Sequence, residues 1–282
     1  MPISPQELIT NLGDLPPLPQ VAAQVLRIAA DPDASTEELQ KVIGTDQALS
    51  AQILKIANSA MFGMVREVTT LTQAIMTLGF STIKSVVIAS SAKNLYSRGA
   101  AGLQERLMWE HALVSALAGR AYGRALRFPR TEEVFLAALM HDIGKSVMAI
   151  KFPERYGVLM RTVYNEQGDG LSLELDTFGF DHAMVGEALL HSWNIAASIE
   201  QAARWHHDPI QAPVEHRNLV AIVALGNQLA LSQNIGIGRV ESLASATQEA
   251  LEILGIDAST LESHQESALE ALERDKSLIS DF

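Results

Sequence analysis

An all-α protein is the fold that the sequence predicts, and three features predict it. Apolar residues recur at positions i, i+3 and i+4 along most of the 282 residues, which is the pattern of amphipathic helices. Strand-like alternation is scarce, and the aromatic residues that strands favour make up only 5% of the chain. Capping residues stand at the ends of many apolar stripes. We therefore expect two packed helical lobes, followed by a helical tail.

The first lobe, residues 1–100, is predicted to be a bundle of short helices. An apolar stripe through residues 18–29 predicts the first of them. Ser35 and Glu38 have the spacing of a capping box at the start of the second, because each side chain can bond to the other's backbone amide. Asp46 is the predicted N-cap of the third helix.

Breaks between helices are predicted further along this lobe. Residues 62–63 interrupt the apolar pattern, Gly79 is expected to end a helix, and residues 97–102 include two glycines and form a candidate hinge. The dipeptide Asn58-Ser59 follows a helical stretch and can stop it by bonding to the backbone. A role of this dipeptide in partner recognition is the alternative.

The second lobe, residues 101–240, is predicted to be a bundle with longer helices. Its first helix is expected over about residues 103–126, and Thr131 is the expected N-cap of the next. That second helix is predicted to end at His141. Asp181 has the position of an N-cap for a later helix.

The tail, residues 241–282, is predicted to be helical and acidic. From residue 251 onward it contains eight acidic residues and two basic ones. Two interpretations are open: a solvated C-terminal helix, or a docking helix that presents a thin apolar seam to a partner. The seam consists of Leu254, Leu261, Ala268 and Leu272.

The composition excludes several classes of protein. The chain has 21 basic and 33 acidic residues, and the formal net charge of −12 argues against broad binding to nucleic acids or anionic membranes. The basic residues of the first lobe are too sparse for a nucleic-acid-binding patch. There is no cysteine, which excludes disulfides and thiolate metal sites. We see no signal peptide and no apolar run of bilayer length, so we expect a soluble, cytoplasmic protein.

Six side chains form a candidate metal site. Histidines on separate helices can converge at the centre of a helical bundle, where metal sites are often built. Imidazole nitrogens and a carboxylate suit a divalent transition metal such as Fe, Mn, Zn or Ni. The alternative is that they are ordinary surface or core residues. The candidates are His111, His141, Asp142, His182, His206 and His207, whereas His191, His216 and His264 are expected at the surface.

Lys145 adds a positive charge three residues after Asp142, and it could contact a phosphate group. A metal held beside it would acidify a bound water and polarise a phosphoryl oxygen. The grouping supports the hypothesis of metal-dependent phosphate-ester hydrolysis.

Several motifs in a consistent order make the chain resemble HDOD domains over about residues 12–232. The first half carries Leu15-Pro16-Pro17-Leu18-Pro19, Asp46-Gln47-Ala48-Leu49-Ser50, Ile56-Ala57-Asn58-Ser59-Ala60, and Ala74-Ile75 with Leu78-Gly79. The second half carries Trp109-Glu110-His111, Leu139-Met140-His141-Asp142-Ile143-Gly144-Lys145, Asp181-His182-Ala183 with Val185-Gly186, Trp193, and His206-His207. The resemblance implies an all-helical regulatory module, related to the HD metal-dependent phosphohydrolases but without defined catalysis.

The resemblance also implies how a metal would be held. His111 resembles the first ligand of HD enzymes, and the pair His141-Asp142 resembles the central ligands. His182 and the pair His206-His207 resemble the histidines that dinuclear members add.

Two departures from the catalytic pattern accompany this resemblance. Asn227 stands where catalytic HD enzymes carry their last aspartate, and a neutral amide is a weaker ligand than a carboxylate. The paired histidines are followed by Asp208-Pro209, where the related cyclic di-GMP phosphodiesterases carry Gly-Tyr-Pro. Cyclic di-GMP hydrolysis is therefore not the expected activity.

Two functions follow from these observations. The first is a non-catalytic signalling protein that binds a signalling partner or a small nucleotide-like ligand. The alternative is a metal-dependent phosphohydrolase or phosphodiesterase that uses the retained His/Asp cluster.

Overall fold

The part of the chain that the structure describes is helical throughout. The structure is a computed structural model that describes residues 16–31, 33–59, 67–99, 103–166, 169–237 and 243–274. Within these ranges there are helices and turns but no strand. The all-α prediction is confirmed.

The helices of the N-terminal part are short, apart from the last. Three short amphipathic helices precede one long helix, which changes direction where Gly79 adopts a φ of 77°. They are α1 (Gln20–Ala30), α2 (Thr36–Ile43), α3 (Gln47–Ala57) and α4 (Leu71–Gly99).

The remaining helices form the larger part of the fold. A short 3-10 helix, Pro209–Gln211, lies between two of them. They are α5 (Leu103–Ala125), α6 (Thr131–Met140), α7 (Ile143–Lys151), α8 (Pro153–Glu166), α9 (Gly170–Phe178), α10 (His182–Ser192), α11 (Ala197–Trp205), α12 (Val214–Ser232), α13 (Ala244–Leu254) and α14 (Ala258–Arg274).

The predicted helix caps are present, with one exception. The Ser35 hydroxyl accepts from the Glu38 amide at 3.2 Å, and the Glu38 carboxylate accepts from the Ser35 amide at 3.0 Å. Asp46 caps α3 and Asp181 caps α10 in the predicted way. The prediction for Thr131 is wrong, because it is the first residue inside α6. Two glutamates in the first turn of α6 provide the negative charge that favours this helix end.

The predicted breaks are found where the structure describes the chain. Asn58 bonds to the Leu54 carbonyl at 2.9 Å and to both backbone groups of Val68 at 2.7 Å, so it ends α3 and fixes the start of the following segment. Gly79 breaks the regular helix as predicted. Residues 62–63 lie outside the described residues. Of the candidate hinge 97–102, the first three residues continue α4 and the others lie outside the described residues.

A continuous hydrophobic core connects the two halves of the chain through α4. This helix packs against α1, α2 and α3, and also against α5, α6 and α7. In turn, α5 packs against α6, α12 and α14. Because α4 contacts both sets of helices, the division into lobes near residue 100 stays a prediction.

One segment of α4 is long and apolar enough to span a membrane by length and composition. It runs from Leu71 to Lys93, and it is the only such segment in the part of the chain described. Its apolar window is 56% buried inside the fold, and Gly79 interrupts it. These features are typical of a core helix. The segment is not an uninterrupted apolar run, because polar residues such as Thr72, Gln73 and Lys84 lie within it.

Three of the four residues in the apolar seam of the tail are buried inside the protein, and the fourth, Leu254, is half-buried at the end of α13. Leu261, Ala268 and Leu272 are buried on α14, which packs along α5. Glutamates 262, 266 and 270 are exposed on the opposite side. This part of the seam is therefore not free to contact a partner, because it already contacts the chain's own bundle, and a docking role of the helix stays a prediction.

Trp193 connects the beginning of the described chain to the larger bundle. Its indole Nε1 donates to the Pro16 carbonyl oxygen at 2.7 Å, and the ring is buried. We expect Trp193→Phe to lower the free energy of unfolding by about 1–2 kcal/mol, because a buried hydrogen bond and some packing are lost. Urea unfolding measures this. The control is Trp205→Phe, whose indole bonds only within its own helix, to Gln201. An equal loss in both variants would contradict the role of the long-range bond.

Candidate metal centre

The turn between α6 and α7 places two candidate ligands deep inside the protein. His141 is the C-cap of α6 and Asp142 is the N-cap of α7, and both are almost completely buried. Gly144 allows α7 to approach α10 closely. A Cβ atom at Gly144 would lie 1.9 Å from the His182 carbonyl oxygen. The absence of a side chain at this position brings the turn against the start of α10.

The structure brings together all six predicted ligands. They lie near the ends or in the middle of different helices, and five are buried while His207 is half-buried. They form two groups that share Asp142. The three-ligand group is His111, His141 and Asp142, and the four-ligand group is Asp142, His182, His206 and His207. Within each group the potential ligand atoms lie within 4.8 Å of one another.

The two carboxylate oxygens of Asp142 face different groups. Oδ1 lies 3.2 Å from Nε2 of His182 and 3.5 Å from Nε2 of His206. Oδ2 lies 3.5 Å from Nε2 of His111 and 3.4 Å from Nε2 of His141. This oxygen also accepts from the Lys145 ammonium at 2.6 Å. Asp142 is therefore the centre of the cluster.

Hydrogen bonds at the outer ring nitrogens orient the histidines. A carbonyl or carboxylate oxygen can only accept, so each Nδ1 that contacts one carries the proton and leaves Nε2 for the centre. Outer partners of this kind fix the orientation of metal-binding histidines. The Nδ1 contacts are His111 to the Ile235 carbonyl at 2.9 Å, His141 to the Ala138 carbonyl at 2.6 Å, His182 to Glu174 at 2.6 Å and His206 to the Ala203 carbonyl at 3.0 Å.

One ring nitrogen at the centre has no hydrogen-bond partner. Nε2 of His141 is buried and unpaired, and Oδ1 of Asp142 faces only the Nε2 atoms of other candidate ligands. A buried polar atom without a partner costs about 1–3 kcal/mol, and a bound cation would remove this cost. The donor set of imidazole nitrogens and one carboxylate suits a divalent transition metal. The residues present therefore fit such an ion.

Burial keeps most of the histidines neutral, which is the form that binds metals. It lowers the pKa of His111 to about 4 and the pKa of His206 to about 3. It also lowers the pKa of His207 well below its ordinary value, with a further contribution from His206. These rings need not lose a proton before they bind an ion at neutral pH.

His182 and Asp142 are charged in the metal-free protein. Burial alone would lower the pKa of His182, but Glu174 and Asp142 raise it to about 9. Burial alone would raise the pKa of Asp142, but His141 and Lys145 hold it well below its usual range. An ion that binds His182 would therefore displace a proton from its Nε2.

Glu174 is a buried carboxylate that the sequence analysis missed. It lies on α9 and is 1% exposed. One oxygen accepts from the amide and from Nδ1 of His182, at 2.8 and 2.6 Å, and the other accepts from the Tyr156 hydroxyl at 2.8 Å. Its sequence signal is weak: a single acidic residue between Leu173 and Leu175 on a short helix.

We expect Glu174→Gln to weaken metal binding by about 10- to 100-fold, since Glu174 orients His182 and increases its basicity. Isothermal titration with a divalent metal measures the change. Asp176→Asn is the matched control, because Asp176 lies on the same helix but is exposed. Equal affinities for Glu174→Gln and the wild type would show that Glu174 does not orient a ligand.

Of the other residues singled out from the sequence, Asn227 lies beside the cluster, whereas the three remaining histidines do not belong to it. Asn227 is 3% exposed on α12 and lines a cavity of about 50 Å³ together with His111 and Lys145. His191 is exposed, as predicted. His216 and His264 are half-buried, so the surface prediction is only partly correct for them, and neither belongs to the cluster.

Comparison with known proteins identifies the family. The model of the HDOD domain matches residues 15–209, which is more than half of the chain. The chain belongs to the HDOD family. The match agrees with the resemblance of the sequence motifs, although it ends before Asn227. An uncharacterized protein of Treponema pallidum (strain Nichols) is 25% identical over 226 residues, and the match covers 77% of this chain and 42% of that protein. The HDOD chain thus spans less than half the length of this curated relative.

Solved structures share the fold of this HDOD protein. An HDOD domain protein of unknown function from Geobacter sulfurreducens superposes with a TM-score of 0.82 at 23% identity, covering 99% of this chain and 97% of that one. A candidate phosphohydrolase from Shewanella amazonensis SB2B gives a TM-score of 0.77 at 23% identity, covering 97% of each chain. At these identities the likeness shows the fold and does not extend to activity.

Proposed function

We propose that this chain is a cytoplasmic signal-transduction protein whose buried centre binds a divalent transition metal and a small phosphate-containing ligand. The observation that carries the proposal is the orientation of the histidines. Four of them direct Nε2 inward while their Nδ1 atoms are held by oxygens of the protein. Such an arrangement is typical of a site prepared for an ion.

The ligand class follows from the charges beside the centre. The Lys145 side chain is 17% exposed at the cavity and offers an ammonium group to an anion. A bound divalent metal would supply a Lewis acid that attracts phosphate oxygens. The cavity volume of about 50 Å³ suits a small group such as a phosphate, with the rest of a nucleotide-like ligand outside it.

A regulatory role is supported by Asn227 and by the family. Asn227 is buried at the cavity, where the resemblance to HD enzymes places an anionic ligand. The resemblance of the sequence to HDOD domains implies a regulatory module. A structural relative from Marinobacter aquaeolei VT8 is described as a candidate signal transduction protein. We propose that ligand binding at the centre changes how the helical surface contacts a signalling protein.

Metal and ligand measurements test this proposal together. Protein purified with added Fe or Mn should contain bound metal by elemental analysis, and Asp142→Asn, which alters the one residue that both ligand groups share, should lose it. Phosphate or a nucleoside monophosphate should raise the melting temperature of the metal-loaded protein but not of Asp142→Asn. Absence of metal from the wild type would refute the proposal.

A metal-dependent phosphohydrolase is the second candidate function. It is favoured by the presence of all six candidate ligands in one buried cluster. In that case a bound metal ion would supply an acidified water, and Lys145 would hold the phosphate. Metal-dependent turnover of phosphodiesters or nucleotides, abolished in His141→Ala, would establish this function instead of the non-catalytic one.

A further inference from the structure

The cluster contains two groups of ligands, but the two sides of Asp142 are not equivalent. Oδ1 faces Nε2 of His182 and Nε2 of His206, which are themselves candidate ligands of the four-ligand group. Oδ2 faces the three-ligand group and is bonded to the Lys145 ammonium at 2.6 Å. The neighbours of Oδ1 can therefore join it in binding an ion, whereas the ammonium at Oδ2 would compete with one.

A metal ion in the three-ligand group would have to share Oδ2 with this ammonium. Two positive charges on one buried carboxylate oxygen repel each other strongly, because the interior screens charge poorly. Asn227 lines the cavity beside His111 and Lys145 but brings no negative charge to offset the repulsion. Asp142 is the only anion in either group.

The four-ligand group offers an ion a carboxylate oxygen that is not bonded to the Lys145 ammonium. It contains three histidines and one carboxylate oxygen, which are the residues that would hold a divalent transition metal. Nε2 of His182 lies 3.1 Å from Nε2 of His207 and 3.4 Å from Nε2 of His206, so the three imidazoles face a common point. Glu174 provides the outer hydrogen bond that orients His182, and the Ala203 carbonyl provides the one that orients His206.

We propose that Lys145 takes the place of a second metal ion, so that the chain binds a single divalent ion in the four-ligand group. This inference rests on the metal centre of the proposed function. Lys145 then has a double role: its ammonium neutralises Asp142 Oδ2 and offers its remaining N–H donors to the ligand. One observation would instead favour an ion in the three-ligand group: Nε2 of His141 has no hydrogen-bond partner.

The first experiment counts the ions. Co²⁺ is titrated into the chelator-treated full chain, with isothermal titration and elemental analysis as readouts. We expect about one ion per chain in the wild type, about two in Lys145→Met and about one in Lys145→Arg, which keeps the charge. Two ions in the wild type, or one ion in a folded Lys145→Met variant, would overturn the inference while the metal centre stands. No ion in the wild type would refute the metal centre itself.

The second experiment locates the ion and does not depend on the folding of Lys145→Met. His111→Gln removes a ligand of the three-ligand group only, and His207→Gln removes a ligand of the four-ligand group only. We expect His111→Gln to retain the ion and His207→Gln to weaken its binding by more than about 10-fold. Thermal unfolding of both variants checks that they fold. The reverse result, with the ion lost in His111→Gln and kept in His207→Gln, would overturn the inference.

Discussion

Asp142→Asn is expected to remove the bound transition metal almost completely. Asp142 is the one carboxylate in both ligand groups, and its two oxygens face four histidine Nε2 atoms at 3.2 to 3.5 Å. An amide has nearly the same shape, but it is neutral and presents an NH₂ group in place of one oxygen. We expect metal affinity to fall by more than about 100-fold, beyond the effect of changing an outer partner. Elemental analysis and metal titration measure it.

The matched control for this substitution is Asp181→Asn. Asp181 precedes His182 and is also buried, but its carboxylate accepts from the Met184 amide as the N-cap of α10. Asparagine caps helices about as well as aspartate, so this variant should retain its metal. If Asp142→Asn kept its metal as Asp181→Asn does, the cluster would not be the place where the protein holds the ion.

Gly144→Ala is expected to destabilise the protein by about 3 kcal/mol and to disturb the metal centre. A Cβ atom at this position would lie 1.9 Å from the His182 carbonyl oxygen and 2.7 Å from the Gly186 amide nitrogen. Both are backbone atoms of α10, so no side chain can move aside, and α7 would have to shift away. This shift would separate Asp142 from His182. Urea unfolding measures the stability, and metal titration measures the centre.

The control for Gly144→Ala is Gly157→Ala on the neighbouring helix α8. A Cβ atom there would meet only the end of the Arg161 side chain, at 3.6 Å. Alanine favours a helix over glycine by about 1 kcal/mol, so Gly157→Ala should be neutral or stabilising. A destabilisation of similar size in both variants would mean that the close approach of α7 and α10 is not the cause.

Features set by neighbouring residues were predictable from the sequence. The capping box at Ser35 and the N-caps Asp46 and Asp181 are confirmed because a cap depends on contacts over three residues. The position of His141-Asp142 at a helix end was predictable for the same reason. Thr131 shows the limit of this reasoning, because the residue before it takes the N-cap position.

The candidate metal ligands were predictable from their residue types and from the family resemblance, but the residues that orient them were not. His111 is held by the carbonyl of Ile235, which lies 124 residues away, and a backbone carbonyl leaves no trace in the sequence. The role of Glu174 was also hidden in the sequence, because it depends on a contact between α9 and His182 at the start of α10. Such contacts are set by how helices pack.

Helical periodicity, caps and the histidine motifs determined that this is an all-α HDOD protein with a candidate metal site at a helix end. Periodicity shows that a helix has an apolar side, but it does not show what covers that side. Only the packing of α14 on α5 decided that the seam of the tail is internal. The tertiary structure also decided that Lys145 bonds to one oxygen of Asp142 while the other oxygen faces His182 and His206. The physical reason is that charge neutralisation in a buried cluster depends on distances of a few ångströms, which the order of residues does not specify.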